Sequence, residues 1–216
     1  MLGFSFPAGQ PLNVLCLGAH SDDIEIGCGG TILTLAQAYP RMRVHWVVFT
    51  AQGKRRQEAL DSANDFLANV REKQILLESF RDGFLPYTGA QVKDYFETLK
   101  KQVFPDVIFT HSRHDLHQDH RLLCDLAWNT WRNHLILEYE IPKYDGDLGT
   151  PNLFVPLTES AAKQKTSLLL KHFGTQRSKD WFTEDTFLSL MRLRGMESKA
   201  PEKYAEAFYC RKMLLV

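Results

Sequence analysis

The residues best suited to chemistry lie in the stretch GAHSDDIEIGCGG, residues 18–30. His20 is followed two residues later by the adjacent carboxylates Asp22 and Asp23, and the stretch ends in a glycine cluster. Adjacent carboxylates repel each other, so something in this place must offset the repulsion. Solvent, a basic partner and a metal ion are the three candidates.

A second polar stretch, HSRHDLHQDHRLL, covers residues 111–123. His117 and His120 are three residues apart, close to one helical turn, so they share a face. Both stretches follow a short apolar run and precede a helical pattern. A helix cap with solvated polar side chains is the simpler interpretation of either stretch alone. Two such clusters at matching places favour one shared site instead.

Apolar periodicity predicts the elements that must position these clusters. The predicted strands cover residues 12–19, 43–51, 73–79 and 105–112, and the predicted helices cover residues 29–40, 54–70, 89–103 and 119–133. Strands that alternate with helices favour an α/β fold that is Rossmann-like and doubly wound, with a mostly parallel sheet and helices on both faces. Strand order 3-2-1-4 makes the first and fourth strands neighbours and brings residues 20–23 against residues 117–120.

The pattern becomes less regular after about residue 135. Two strand-like pieces flank a loop rich in Gly, Pro and Asp, helices are predicted over residues 159–173 and 184–195, and YAEAFYCRKMLLV is predicted to return as a strand. We therefore expect a single domain over residues 1–216, with a Rossmann-like core at 1–134 and a C-terminal part at 135–216 that shapes the substrate cleft. The loop over residues 143–152 is predicted to act as a lid.

Two histidines and a carboxylate are a ligand set that suits Zn²⁺ or Fe²⁺. The spacing allows His20 and Asp23 to bind a metal from one turn, with Asp22 directed at a water molecule on it. Of His117 and His120, one could bind the metal and the other could stand beside an open position.

These motifs resemble those of a known family. AHSDDIE is similar to the A-H-P-D-D-x-E motif of the zinc-dependent de-N-acetylases, which include the N-acetylglucosaminyl-phosphatidylinositol deacetylases (PIG-L) and the LmbE-like proteins. DLHQDH is similar to the family's H-x-D-H motif, GKRRQEALDSA to its R-x-x-E-x-x-x-A helix, and YAEAF to a frequent C-terminal motif. The resemblance covers most of the chain. Ser21 stands where the family usually has proline, which contributes no functional group.

The resemblance implies specific roles. His20, Asp23 and His120 would bind the metal, Asp22 would be the general base, and His117 would face the oxyanion. The implied activity is removal of an acetyl group from an N-acetylglucosamine-type sugar or conjugate, with Zn²⁺ or Fe²⁺ as cofactor. Because the family often assembles, a homo-oligomer is also expected.

Five further residues have expected positions or roles around this site. Arg55 is predicted to contact substrate, and Asp119 to orient a histidine. Glu25 is either an ordinary acid of a first helical turn or a residue supporting the site. His111 and His114 are expected to line a loop or cleft without contacting the metal. Asp22 would accept the proton of the attacking water, and a protonated His117 would stabilise the oxyanion.

Composition limits the partners and the location. Lys+Arg and Asp+Glu both number 26, so the formal net charge is zero, which gives no reason to expect a nucleic-acid partner. The four cysteines are scattered and no CxxC pair occurs, which indicates reduced thiols. No signal peptide or membrane-length apolar run is recognisable. We therefore expect a cytoplasmic protein with a small-molecule substrate and no integral membrane segment.

Three alternatives remain open from the sequence. The same machinery could hydrolyse another small amide, such as a sugar–thiol conjugate. A nucleotide-binding module without hydrolysis would need a glycine-rich loop free of acids and an acidic residue after the second strand, and FTAQGKRR lacks the latter. A metal-binding protein with a closed site would have four protein ligands and no open position.

Overall fold

A computed structural model describes residues 3–214 of the chain. The strands are Leu12–Gly18 (β1), Met42–Val48 (β2), Glu72–Leu77 (β3), Val107–His111 (β4), Leu135–Tyr139 (β5), Leu153–Leu157 (β6) and Tyr204–Cys210 (β7). The α-helices are Asp23–Ala38 (α1), Gly53–Phe66 (α2), Gly89–Gln102 (α3), Gln118–Thr130 (α4), Glu159–His172 (α5) and Glu184–Ser198 (α6). Short 3₁₀ turns lie at Leu85–Thr88 and Gly174–Gln176.

The seven strands form one sheet in the order β3-β2-β1-β4-β5-β7-β6. Strands β1 to β5 pair with one another in parallel, and β7 is antiparallel to both β5 and β6. One apolar core includes residues of α1, α2 and α5, and a second core includes residues of α3 and α4. The predicted α/β class, the mostly parallel sheet and the 3-2-1-4 order are confirmed. The ends of β1 and β4, which precede the two polar clusters, are therefore adjacent.

Helix α1 begins earlier than the sequence predicts. It starts at Asp23, so the glycine cluster lies inside the helix and does not precede it. Glycine is needed inside α1 because the helix packs closely against β5. A Cβ on Gly27 would overlap the ring of Tyr139. Tyr139 in turn donates its hydroxyl to the carbonyl of Leu17, 2.6 Å away in β1. The glycines thus let α1 approach the sheet directly behind the first polar cluster.

Replacing Gly27 by alanine is expected to destabilise the protein by about 1–3 kcal/mol, because the new methyl group must displace a fully buried ring. Urea unfolding followed by circular dichroism measures the change. Gly89→Ala is the matched control, since a Cβ there meets no atom within 4 Å. Equal unfolding midpoints for the two variants would contradict the packing argument.

Helix α2 is shorter than the predicted helix over residues 54–70, because it ends at Phe66. Leu67 and Val70 remain buried in the turn that follows. Ala59 is fully buried, whereas its apolar neighbour Leu60 is 37% exposed. Successive helical residues point about 100° apart, so Ala59 and Leu60 cannot both face the core.

A buried ion pair reaches into the backbone of α1. The Lys165 ammonium lies 2.6 Å from the Glu206 carboxylate, and both side chains are 4% exposed. Glu206 accepts hydrogen bonds from the backbone N–H groups of Gly30 and Thr31, and Lys165 donates to the carbonyl of Ile26. The Ile26 carbonyl and the Gly30 N–H group, which lie four residues apart in α1, therefore each bond to one member of the ion pair. This contact gives a structural reason for Glu206, the central residue of the YAEAF motif of β7.

The residues after 135 are part of the same sheet through β5, β7 and β6. The two strand-like pieces, the two helices and the closing strand predicted for this region are all present. All four cysteines are free thiols. Within residues 3–214, no helix combines the length and the apolar character that crossing a membrane requires.

Candidate metal centre

Three donor atoms meet where the two polar clusters come together. His20 Nδ1 lies 3.1 Å from His120 Nε2 and 3.2 Å from Asp23 Oδ2, and the latter two atoms are 3.5 Å apart. His20 follows β1 directly, and Asp23 is the first residue of α1. His120 lies in the first turn of α4, which follows β4. The adjacency of β1 and β4 therefore brings these three side chains together.

The spacing of these donors fits a divalent cation. Zinc–nitrogen and zinc–oxygen bonds of about 2.0–2.1 Å imply an edge of about 3.3–3.4 Å between ligand atoms of a tetrahedron. The three observed distances, 3.1, 3.2 and 3.5 Å, scatter around that edge. His20, Asp23 and His120 could therefore hold such a cation between them, and a three-residue set of this kind would leave a position for a small ligand.

Asp115 fixes the orientation of His120. Its Oδ2 lies 2.9 Å from His120 Nδ1, and its Oδ1 accepts the backbone N–H of His117 at 2.8 Å. Burial, followed by the nearby His111, lowers the pKa of His120 to about 3, so the ring is neutral. With its proton on Nδ1 facing Asp115, the ring presents the Nε2 lone pair to His20 and Asp23. This is the tautomer that binding a metal requires.

His20 is surrounded by carboxylates. Its Nε2 lies 3.1 Å from Asp82 and 3.4 Å from Asp119, while its Nδ1 faces Asp23. Burial acts to lower the pKa of His20, but the charges and hydrogen bonds of Asp23, Asp119 and Asp82 outweigh burial and raise that pKa well above its usual value. The site therefore favours a positive charge at this position, which a bound cation can supply.

Asp22 pairs with Arg55. Asp22 Oδ1 lies 2.5 Å from Arg55 Nη2, and the aspartate is 4% exposed. Asp22 occupies the N-cap position of α1, yet its side chain makes no capping hydrogen bond. A helix cap therefore does not account for this residue. Arg55, in the first turn of α2, also reaches Thr175 and Glu58.

His117 is held in one tautomer. Its Nδ1 accepts the backbone N–H of Asp119 at 3.2 Å, so it caps α4. Burial, together with the charge on His20, lowers the pKa of His117 below its usual value. A neutral ring that accepts at Nδ1 carries its proton on Nε2. His117 is thus arranged as a hydrogen-bond donor.

The carboxylates Asp119 and Glu25 have different surroundings. Asp119 is fully buried, faces His20, and accepts hydrogen bonds from the backbone N–H groups of Gly83 and Leu85. It therefore also fixes the loop that carries Asp82. Glu25 is fully buried in the first turn of α1, and within residues 3–214 neither of its oxygens has a hydrogen-bond partner. Burial raises the pKa of Glu25 well above its usual value.

His111 and His114 differ sharply in position. His111 was expected in a loop or cleft, but it is the last residue of β4 and is fully buried. Its ring stacks on His120 at 3.8 Å, and its Nε2 accepts the backbone N–H of Ala19 while lying 3.2 Å from Asp23 Oδ2. His114 lies away from the donor atoms, with its ring toward Tyr209.

Two residues of the site were missed by sequence reasoning. Asp82 lies in an exposed loop after β3 and carries no periodic or motif signal. Asp115 lies inside the second histidine stretch, five residues before His120, and its carboxylate type was the available signal. The structure brings together His20, Asp22, Asp23, Arg55, His117, Asp119 and His120, and places Glu25 beside them.

Solved structures resemble this chain over most of its length. An N,N'-diacetylchitobiose deacetylase from Pyrococcus horikoshii is 25% identical, with a TM-score of 0.67 and coverage of 92% of this chain and 83% of that one. A zinc-inhibited form of teicoplanin deacetylase is 14% identical, with a TM-score of 0.71 and coverage of 92% and 97%. A 4-carboxy-2-hydroxymuconate hydratase from Pseudomonas putida is 16% identical, with a TM-score of 0.76 and coverage of 95% and 98%.

The last two similarities are below 25% identity and show the fold alone. A comparison with curated protein sequences found no significant match. The model of the PIG-L family, described as GlcNAc-PI de-N-acetylase, matches residues 15–131, which include both polar clusters and Arg55. The match covers more than half of the chain, and the chain belongs to the PIG-L family.

Proposed function

We propose that this protein is a metal-dependent hydrolase that removes the N-acetyl group from an N-acetylglucosamine-type sugar or sugar conjugate. The observation that carries the proposal is the triangle of donor atoms on His20, Asp23 and His120, with Asp22 and His117 beside it. A zinc ion, or ferrous iron on the same ligands, would supply a Lewis acid that makes water a stronger nucleophile and polarises the acetamide carbonyl.

Asp22 is the proposed general base. Its carboxylate is oriented by Arg55, at 2.5 Å, and stands between the ligands His20 and Asp23 in the chain. It accepts a proton from the attacking water and can return it to the leaving amine, which makes the amine a better leaving group. Arg55 is also proposed to contact substrate. Its Nη1 has a longer hydrogen bond, 3.3 Å to Thr175, than the 2.5 Å contact of Nη2 with Asp22, so Nη1 is the nitrogen that can change partner.

His117 is the proposed donor to the tetrahedral oxyanion. The sequence suggested a protonated ring for this role, but the hydrogen bond from Asp119 N–H to Nδ1 leaves a donor on Nε2 in the neutral ring. A fixed donor of this kind stabilises the developing charge without reorganisation. Asp82, exposed and 3.1 Å from His20, offers a carboxylate that could accept a hydrogen bond from a sugar hydroxyl.

Family membership and the diacetylchitobiose deacetylase similarity support a sugar amide as substrate. The nearest alternative substrate is another small amide, including a sugar–thiol conjugate, which the same site would hydrolyse by the same chemistry. The hydratase similarity means that the fold by itself does not choose between hydrolysis and hydration.

The test combines metal analysis with product analysis. We expect about one zinc or iron per chain after reconstitution, and release of acetate from a panel of free, nucleotide-linked and lipid-linked N-acetylglucosamine derivatives. Chelation should abolish the release, and added metal should restore it. Metal binding without acetate from any derivative would point to the other amides or to a binding role. A chain that takes up no metal would refute the proposal.

A further inference from the structure

Lys143 is a largely buried lysine that joins two carboxylates. Its side chain is 9% exposed, and its Nζ lies 3.0 Å from Asp115 Oδ2 and 2.5 Å from Asp147 Oδ2. Among residues 3–214, it is the only lysine or arginine whose charged group lies within 4 Å of the Asp115 carboxylate. A lysine enclosed this way is bound to its partners and is not a solvated surface charge.

Asp115 connects Lys143 to the candidate metal centre. The Oδ2 atom that receives Lys143 is the same atom that lies 2.9 Å from His120 Nδ1. The other oxygen of Asp115 receives the backbone N–H of His117. His117 and His120 therefore both depend on the placement of one carboxylate, and Lys143 is the cation that holds it.

Asp147 connects Lys143 to the surrounding loop. Asp147 Oδ2 also accepts the backbone N–H of Leu116, at 2.7 Å. We name residues 143–149 the latch loop. At its far end, Glu140 accepts the backbone N–H of Gly149, and Arg194 donates to the Gly149 carbonyl and to Glu140. The latch loop is therefore held by polar contacts at both ends. At its first end, Lys143 contacts Asp115, which also binds His117 and His120.

We propose that Lys143 is a positioning residue that couples the latch loop to the metal ligand His120 through Asp115. Without the ammonium, Asp115 and Asp147 would face each other as uncompensated carboxylates. Their repulsion would move the latch loop outward and draw Asp115 away from His120. The inference rests on the proposed metal-dependent function for its consequence, but not for the contact network itself.

The experiment compares Lys143→Met, which removes the charge and keeps a side chain of similar length, with Lys143→Arg. The matched control is Lys163→Met, because Lys163 forms a pair of similar length, 2.6 Å, with Glu159 at an exposed position. The zinc Kd of each metal-free protein is measured by competition with a chromophoric chelator. Amide hydrogen exchange of residues 143–149 and of Leu116 is measured on the same samples.

For Lys143→Met we expect the zinc Kd to rise about 10-fold, the lower end of the range for groups that orient a ligand. Exchange should become faster in the latch loop and at Leu116, and kcat should fall more than KM rises. Lys143→Arg should recover part of the loss. Lys163→Met should match the wild type in every measurement.

Unchanged Kd and unchanged exchange in Lys143→Met would overturn the inference. Faster loop exchange with an unchanged Kd would also overturn it, because Lys143 would then only fasten the loop. Asp147→Asn covers the case in which Lys143→Met does not fold. It removes the carboxylate that ties Lys143 and the backbone of Leu116 together, so it should loosen the loop and raise the zinc Kd. The rise should be smaller than for Lys143→Met, because the contact between Lys143 and Asp115 remains, and a looser loop with an unchanged Kd would contradict the coupling. Absence of zinc binding by the wild type would instead refute the proposed function, while the exchange data would still test the network.

Discussion

Replacing Asp22 by asparagine is expected to lower kcat for deacetylation by about 10²–10⁴-fold while the protein still binds metal. Asparagine keeps the size of the side chain, but it cannot accept the proton of the attacking water. None of the three donor atoms on His20, Asp23 and His120 belongs to Asp22, so their geometry is retained. Steady-state acetate release and metal content, measured on the same preparation, check both halves of the prediction.

Asp61→Asn is the matched control for Asp22→Asn. Asp61 is exposed on α2, where it accepts a hydrogen bond from Gln57, so kcat should stay at the wild-type value. Undiminished hydrolysis by metal-loaded Asp22→Asn would remove Asp22 from the role of base. Loss of metal from this variant would instead place Asp22 among the ligands.

Replacing Glu206 by glutamine is expected to destabilise the protein by about 3–5 kcal/mol, because it leaves Lys165 as an unpaired buried charge. For a chain of this size, the melting temperature should fall by about 6–20 °C. Adding Lys165→Met to Glu206→Gln removes the unpaired charge and should restore part of the stability. Differential scanning calorimetry on the single and double variants measures both changes.

Glu159→Gln breaks the exposed pair with Lys163 and serves as the comparison, with little change expected in the melting temperature. If Glu206→Gln and Glu159→Gln had the same melting temperature, the buried pair would contribute no more to stability than the exposed pair. Failure of the double variant to gain stability over the single variant would mean that the hydrogen bonds to Gly30 and Thr31 matter more than the charge.

The sheet and the meeting of the two clusters were predictable because both depend on short-range patterns. Apolar runs bounded by turn residues identified β1 to β4, and the handedness and order of α/β crossovers then made β1 and β4 neighbours. The start of α1 was not predictable in the same way. Its glycines look like a break in local propensity, and only side chains much later in the sequence explain them. Gly27 faces Tyr139, Gly29 faces Phe66 and Gly30 faces Leu157.

The remaining contacts could not be predicted either, because they too depend on residues that are distant in the sequence. Lys165 lies in an amphipathic helix among other charged residues and gives no sign that it is buried. Asp82 and Lys143 come from loops, where side-chain direction follows tertiary contacts and not periodicity. Asp115 could have been suspected from its type, but its choice of His120 over the other histidines is a property of the folded loop.

The position of β7 has a consequence for the order in which the protein folds during synthesis. Within residues 3–214 it is the last strand in sequence, and it lies between β5 and β6, which do not pair with each other. Glu206 on that strand bonds to Gly30 across a separation of 176 residues. A nascent chain can therefore assemble the first five strands, but it must keep β6 and the exposed side of β5 without partners until residues 204–210 are available. Such long-range closure is slow, and a chain cut before residue 204 is expected to leave two unprotected strand edges that favour aggregation.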